Sequence, residues 1–155
     1  MVNSQDAPGE LESVRQLLNT WSIPNDTRVP TDAFVGESQL RKLRDDIRRA
    51  VETGTPDGLN RWVLKLGIRP VLVDGVIQWH VRDEPASTLA IVLTAIADGT
   101  WPRLKACPDC RWVFYDNSRN ASKRWCLMTA TGPNGRSCGS IAKVRAFRER
   151  AASER

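Results

Sequence analysis

Residues 105–128 read Lys-Ala-Cys-Pro-Asp-Cys-Arg-Trp-Val-Phe-Tyr-Asp-Asn-Ser-Arg-Asn-Ala-Ser-Lys-Arg-Trp-Cys-Leu-Met, and they include three of the four cysteines of the chain. Cys107 and Cys110 form a Cys-x2-Cys knuckle, Cys126 follows 16 residues after Cys110, and Cys138 follows 12 residues after Cys126. Four thiolates complete the closed tetrahedral shell of a structural zinc ion. The spacing therefore predicts one structural zinc ion bound by Cys107, Cys110, Cys126 and Cys138.

Other chemistries of a four-cysteine cluster fit this pattern less well. A thioredoxin-like redox pair needs a βαβ surround, which the sequence lacks, and an iron–sulfur site lacks its usual cysteine spacing. We expect a cytoplasmic location because residues 1–10 are polar and contain no apolar signal core. Two disulfides are disfavoured in that reducing compartment. No apolar run approaches the ~18 residues of a membrane helix, so we expect no membrane partner.

The same cluster argues against catalysis. A catalytic zinc ion keeps one coordination position open, whereas four thiolates leave none. The chain contains no Walker loop, no Gly-x-Gly-x-x-Gly motif and no His-Glu-x-x-His motif, and His80 is its only histidine. We therefore expect that the chain is not an enzyme.

The residues between the knuckle and the third cysteine predict a β-hairpin. Its strands are expected over 112–116 and 123–127, and its turn over 117–122, because aromatic and apolar residues flank a run of turn formers. Asp116, Ser118 and Asn120 are expected to fix the turn through hydrogen bonds to the backbone. This hairpin would return the third cysteine to the knuckle.

The C-terminal segment predicts an amphipathic helix that begins at Cys138, as in treble-clef-like zinc folds. An apolar stripe on this helix predicts that it docks against the rest of the protein, with a solvated basic back. The stripe consists of Ile141, Val144, Phe147 and Ala151.

The upstream residues read as a mostly helical body with one β-hairpin. Asp74-Gly75 predicts a two-residue hairpin turn between 71–73 and 76–81, because both central positions of that turn take positive φ. Helices are predicted over 10–20, from Pro30-Thr31-Asp32 to Thr53, from Asp57 to Gly67 and from Pro85 to Gly99. The fold class is therefore α+β, with a body over 10–102 and a small treble-clef-like zinc finger over 103–155.

Charge is distributed unevenly between these two parts. Residues 1–102 contain 11 basic and 14 acidic residues, a net charge of −3, whereas residues 103–155 contain 12 basic and 4 acidic residues, a net charge of +8. A basic end on an acidic body indicates a polyanionic partner or a solvated basic tail. The candidate nucleic-acid contacts are Arg119, Lys123, Arg124, Lys143, Arg145 and Arg148.

The finger resembles the CGNR zinc-finger family. The resemblance rests on the Cys107/Cys110 knuckle, Phe114 on the aromatic strand, the Asp116-x-Ser118-x-Asn120 run, the Lys123-Arg124-Trp125-Cys126 run and the basic last helix. The body resembles the ABATE domain that usually precedes this finger, at Leu18-Asn19-Thr20 and Pro30-Thr31-Asp32. Two departures are Ser140-Ile141 in place of the family's Asn-Arg, and a longer spacer with extra residues at 131–136.

The resemblance implies a DNA-binding transcription regulator. Loss of the family's Asn and Arg leaves the zinc ligands intact but removes two candidate contacts to nucleic acid. The alternative is a protein-interaction module with a purely structural zinc finger, whose partner is another protein or a second copy of the chain.

Overall fold

The computed structural model describes residues 5–126 and 137–153, in which five helices and three short antiparallel strand pairs alternate. The helices are α1 (Leu11–Leu18), α2 (Ser38–Thr53), α3 (Asn60–Leu66), α4 (Glu84–Ala97) and α5 (Cys138–Ser153). The strands are β1 (Trp21–Ser22), β2 (Thr31–Asp32), β3 (Arg69–Val73), β4 (Val76–His80), β5 (Leu104–Ala106) and β6 (Val113–Tyr115). Short 3₁₀ turns span Pro56–Leu59 and Trp101–Arg103. The predicted α+β fold class is confirmed.

The core lies among α1, α2 and α4. Leu40, Leu43, Ile47 and Val51 form an apolar stripe that is buried along α2, because residues spaced by three and four positions share one face of a helix. Leu43 and Ile47 are fully buried there and belong to the same cluster as Leu18 of α1 and Leu89 of α4. Burial of each such side chain stabilises the fold by roughly 1.5–3 kcal/mol.

The β3–β4 hairpin confirms the predicted turn. Val73 pairs with Val76 across Asp74-Gly75, and both turn residues have positive φ, 49° and 77°. This is the backbone geometry of the two-residue turn that matches the twist of the strands.

The predicted helix start at Pro30-Thr31-Asp32 is wrong. Thr31 and Asp32 form strand β2 and pair with β1, and α2 begins only at Ser38. Asp32 does not cap a helix, because its carboxylate accepts two hydrogen bonds from the buried Arg44 guanidinium, at 2.7 and 2.9 Å. That interaction fixes the residue against the side of α2 instead of at its end.

The predicted pairing inside the finger is also wrong. Strand β6 pairs with β5, which precedes the knuckle, and residues 117–126 form no strand. The reason is that the backbone N–H groups of Ser118 and Lys123 donate to the Asp116 carboxylate, so these groups do not form a strand ladder. Residues 127–136, with the extra spacer residues, lie outside the described part.

The finger hairpin packs directly on the body. Leu104, Val113 and Tyr115 belong to the same buried cluster as the body helices. Asn19 of the body also pairs with the Val113 backbone, because its side chain donates to the carbonyl and accepts from the N–H, both at 2.8 Å. The division at residues 102 and 103 stays a prediction.

None of the described helices combines the length and the apolar character needed to cross a membrane.

Candidate metal centre

The knuckle occupies the loop between β5 and β6. Its turn is closed by the Arg111 N–H, which donates to the Cys107 carbonyl at 2.9 Å, and by the Cys107 N–H, which donates to the Trp112 carbonyl at 2.8 Å. Arg111 has a φ of 63°, the left-handed conformation that a non-glycine residue rarely adopts. The antiparallel pairing of the flanking strands therefore sets the two knuckle cysteines on one tight turn.

Cys126 returns to the knuckle through a polar network centred on Asp116. This carboxylate is fully buried and accepts from the Lys105 ammonium at 2.8 Å, from the Ser118 N–H at 2.9 Å and hydroxyl at 2.5 Å, and from the Lys123 N–H at 2.8 Å. Lys105 also donates to the carbonyls of Ala121 and Lys123. These contacts confirm the predicted structural role of Asp116 and Ser118, whereas the Asn120 side chain forms no such hydrogen bond with the described residues.

The charge state of Asp116 follows from this network. Burial raises the pKa of a carboxyl group, but the hydrogen bonds from Lys105, Ser118 and Lys123 outweigh burial and hold the pKa of Asp116 well below its usual range. The residue is therefore an anion that binds one cation and several N–H and O–H donors inside the finger.

Cys138 is the first residue of α5, as predicted. Its Sγ atom lies 3.8 Å from the Asn25 Oδ1 atom, so a loop of the body reaches the cluster. Gly139 follows in the first turn of α5 and packs against the ring of Trp125, where an added Cβ would approach the indole to 3.2 Å. The glycine therefore allows the helix to approach the ring closely.

The structure brings the four cysteines together and buries them all. Their sulfur atoms lie within 4.8 Å of one another, with 3.3 Å between those of Cys110 and Cys126 and 3.8 Å between those of Cys126 and Cys138. A tetrahedral zinc ion with bonds of about 2.3 Å would separate its sulfur ligands by about 3.8 Å. The cluster therefore has the size and the donor set of a structural zinc site, and these residues could hold a metal ion.

The four thiols cannot all ionise without a cation. Hydrogen bonds with the Cys110 and Cys126 thiols lower the pKa of Cys107. The hydrogen bond between Cys107 and Cys110 raises the pKa of Cys110. Burial, together with the charges of Cys107 and Cys110, raises the pKa of Cys138 to about 12. A divalent cation would offset this repulsion and allow each sulfur to bind as a thiolate.

Aromatic side chains enclose the sulfur cluster. Phe114 is fully buried among the cysteines, and Trp112 and Trp125 pack against them from the outside. Phe114 and Trp125 therefore belong to a small core around the sulfur atoms. Water is thereby kept from the sulfur atoms, which a stable thiolate site requires.

The candidate nucleic-acid contacts occupy two places in the finger. Arg119, Lys123 and Arg124 lie on the irregular segment 117–126, and Arg124 covers the ring of Trp125 at 5.8 Å. Lys143, Arg145 and Arg148 are exposed on α5. The structure therefore does not bring all six together on one element.

Helix α5 is less docked than its sequence predicts. Val144 is 40% exposed and Phe147 is 68% exposed, although both belong to the expected apolar stripe. Only Cys138 at its beginning is buried among the described residues of the helix. The helix therefore extends away from the sulfur cluster and leaves its apolar stripe partly uncovered.

Sequence reasoning missed several residues that connect the centre to the body. The buried Arg48 guanidinium donates to the Arg111 carbonyl in the knuckle at 2.8 Å, and Arg28 pairs with Asp109 between the knuckle cysteines at 3.1 Å. The one available signal for Arg48 is its position beside Ile47 on the apolar side of α2. The sequence does not indicate that Asn25 reaches the cysteines, because its loop has no periodic pattern.

These features define a class of protein. The chain has a small C-terminal zinc-finger-like module, in which a knuckle hairpin and the first turn of a helix assemble four buried cysteines. Residues 103–151 match the family model described as the CGNR zinc finger. No curated protein matches the chain. The resemblance of residues 10–102 to the ABATE domain stays a prediction.

Proposed function

We propose that this chain is a cytoplasmic, DNA-binding transcription regulator with one structural zinc ion and no catalytic activity. Zinc is supported by the four-sulfur cluster and by the zinc-finger match over residues 103–151. Four thiolates would fill the tetrahedral shell and leave no position for a substrate. The ion would therefore hold the module together, and the surface of the module would carry the activity.

The distribution of ion pairs carries the DNA-binding part of the proposal. On α2, Arg44 and Arg49 pair with carboxylates. On α5, Lys143, Arg145 and Arg148 are exposed and form no ion pair with any described residue. Contacts to phosphate need positive charge that is accessible and not already neutralised. Helix α5 supplies such charge.

The charge of the module supports the same partner. Residues 103–155 have a net charge of +8 before metal binding. Four thiolates and one Zn²⁺ contribute −2, which leaves about +6. Ser140 and Ile141 supply neither the amide nor the guanidinium of the family motif. We therefore expect phosphate contacts to dominate and sequence preference to be weak.

A salt titration of DNA binding tests this proposal. The zinc-loaded full chain should bind a labelled duplex in an anisotropy assay at low salt, and log affinity should fall linearly with log salt by about 0.9 per phosphate contact. Replacing both Arg145 and Arg148 with Ala should weaken binding to all duplexes and reduce the slope by up to about 2. Alanine favours a helix, so the change should leave α5 intact.

The matched control removes two positive charges from the body. Lys42 and Arg82 are exposed there, and their replacement with Ala should leave the salt slope unchanged. Tight binding that does not respond to the α5 variant would indicate that the contacts lie on segment 117–126. Absence of duplex binding at low salt would reject DNA as the partner.

A second candidate function rests on the uncovered apolar stripe of α5. Val144 and Phe147 expose apolar surface between basic side chains, which fits a protein partner or a second copy of the chain. In that case the zinc finger would be purely structural. Co-purification of a protein partner, together with no DNA affinity at low salt, would favour this function over the first.

A further inference from the structure

A cavity of about 420 Å³ lies where α2 meets the cysteine knuckle. The guanidinium groups of Arg44, Arg48 and Arg49 come from α2, and that of Arg111 comes from the residue after Cys110. We refer to this cavity as the arginine pocket. It shares no lining residue with the sulfur cluster or with the proposed DNA contacts, so neither of those sites explains it.

Arg44, one of the four arginines, is paired with two carboxylates within the fold. Arg44 is only 1% exposed, and its guanidinium donates to both oxygens of Asp32 and to Asp45 at 2.8 Å. It also donates to the Thr20 hydroxyl at 2.8 Å. Arg44 therefore acts as a structural ion pair that closes one side of the pocket.

Arg48 differs because it is buried with a single carboxylate partner, Glu52, which also binds Arg111. It is 5% exposed and donates to three backbone carbonyls, those of Leu18, Trp21 and Arg111. Its nearest carboxylate, that of Glu52, lies 3.6 Å away. Burial lowers the pKa of Arg48 to about 10, Glu52 opposes this shift, and repulsion by Arg111 and Arg44 adds to it.

The pocket therefore contains more guanidinium groups than carboxylates. Four arginines face the three carboxylates of Asp32, Asp45 and Glu52. Glu52 accepts from both Nε and Nη2 of Arg111, so it is shared between Arg111 and Arg48. Arg49 lies at the rim with a 69% exposed side chain and pairs with Asp46, which does not line the pocket.

We propose that the arginine pocket binds a small oxyanion, a molecule with a phosphate or carboxylate group, through Arg48, Arg49 and Arg111. The planar fork of a guanidinium group matches the oxygens of both groups. The volume lies in the range of small-molecule sites, and Trp21 supplies an apolar wall. A bound anion adds negative charge beside Arg48 and Arg111, which share one carboxylate, that of Glu52.

The position of Arg111 connects this pocket to the metal centre. Its N–H closes the knuckle turn at Cys107, and its carbonyl accepts from Arg48. An anion in the pocket competes with Glu52 for the Arg111 guanidinium. Because Arg111 also closes the knuckle turn at Cys107, the anion and the metal both affect this residue. Any effect of the anion on zinc affinity must be matched by an equal effect of zinc on anion affinity.

Calorimetric titration of the zinc-loaded full chain tests the site, with inorganic phosphate and succinate as separate probes. We expect saturable binding of at least one of them, and the probe that binds identifies the group. Arg49→Gln should weaken binding about five- to tenfold, because one charge-assisted contact is lost. Glu52→Gln should strengthen it several-fold, because the competing carboxylate is removed.

Lys42→Gln provides the matched control. Lys42 is exposed on the same helix but does not line the pocket, so this variant makes the same charge change and should leave anion affinity unchanged. The proposal is overturned if neither probe binds saturably. It is equally overturned if binding occurs but does not respond to Arg49→Gln and Glu52→Gln, since the anion would then lie elsewhere.

Discussion

Replacement of Asp116 with Asn tests whether a buried anion holds the finger together. The carboxylate accepts from Lys105, from both donors of Ser118 and from the Lys123 N–H. Asparagine has the same shape but no charge, and its amide N–H₂ faces groups that are themselves donors. The variant therefore removes one partner of a buried ion pair and leaves donors in the finger without an acceptor.

The expected cost is about 3 kcal/mol in the free energy of unfolding. Removal of one partner of a fully buried pair costs roughly 3–5 kcal/mol. Asp116 is fully buried, but the Lys105 side chain is 27% exposed, so solvent compensates part of the loss and the lower end applies. Because the network returns Cys126 to the knuckle, zinc affinity should fall as well.

Urea denaturation of the zinc-loaded protein, followed by tryptophan fluorescence, measures the change. Asp109→Asn is the control: it makes the same charge change in the same module, but its partner Arg28 is 42% exposed, so we expect less than about 1 kcal/mol. An Asp116→Asn cost no larger than that of the control would refute the reasoning. The folded pKa of Asp116 is depressed, so its stabilising contribution is present at neutral pH and is lost as pH falls below about 4.

Two further predictions concern the metal centre. Freshly reduced protein should contain one zinc ion per chain by metal analysis, and Cys138→Ser should weaken its retention against a chelator; less than half an equivalent in the unmodified protein would contradict a four-thiolate site. Gly139→Ala should lower the free energy of unfolding of the zinc-loaded protein by about 1–3 kcal/mol, measured from the shift of its unfolding midpoint, because the added Cβ would meet the Trp125 ring at 3.2 Å. Ala142→Gly on the same helix should cost only about 1 kcal/mol.

The elements that the sequence predicts correctly are those with a local cause. The α2 stripe follows from its spacing, and the β3–β4 turn follows from the φ preferences of Asp74-Gly75. The gathering of the four cysteines follows from ligand spacing, and the beginning of α5 at Cys138 follows from the likeness to treble-clef-like zinc folds. Each of these depends on residues within a few turns or on one well-known motif.

The errors concern side chains whose hydrogen-bond partners lie several residues or more away along the chain. Segment 123–127 has the composition of a strand, yet Asp116 takes the N–H of Lys123 that a strand ladder needs. Asp32 is a residue type that is common at the beginning of a helix, yet its carboxylate accepts hydrogen bonds from Arg44. A sequence shows that such groups can donate or accept, but the partner is chosen only when tertiary packing brings the two together.

The buried arginines illustrate the same limit. Arg44 and Arg48 lie beside the apolar stripe of α2, although arginine is rarely buried unless it is paired. Their burial depends on the Asp32 carboxylate and on the carbonyls of Leu18, Trp21 and Arg111, which approach from three separate segments. No pattern on α2 alone identifies those acceptors.

Removal of zinc should affect the two faces of the finger hairpin differently. Val113 and Tyr115 point into the body core, whereas Phe114 between them points into the sulfur cluster, as the two-residue period of a strand requires. A small isolated finger loses its fold when about 10–16 kcal/mol of metal binding is removed. Here the body retains one face of the hairpin, so we expect chelation to loosen segment 117–126 and the start of α5 while β5–β6 stays paired. Amide hydrogen exchange should show fast exchange in 117–126 and retained protection at Val113 and Tyr115. Loss of protection at those two residues would instead mean that the metal, and not the body core, holds the hairpin.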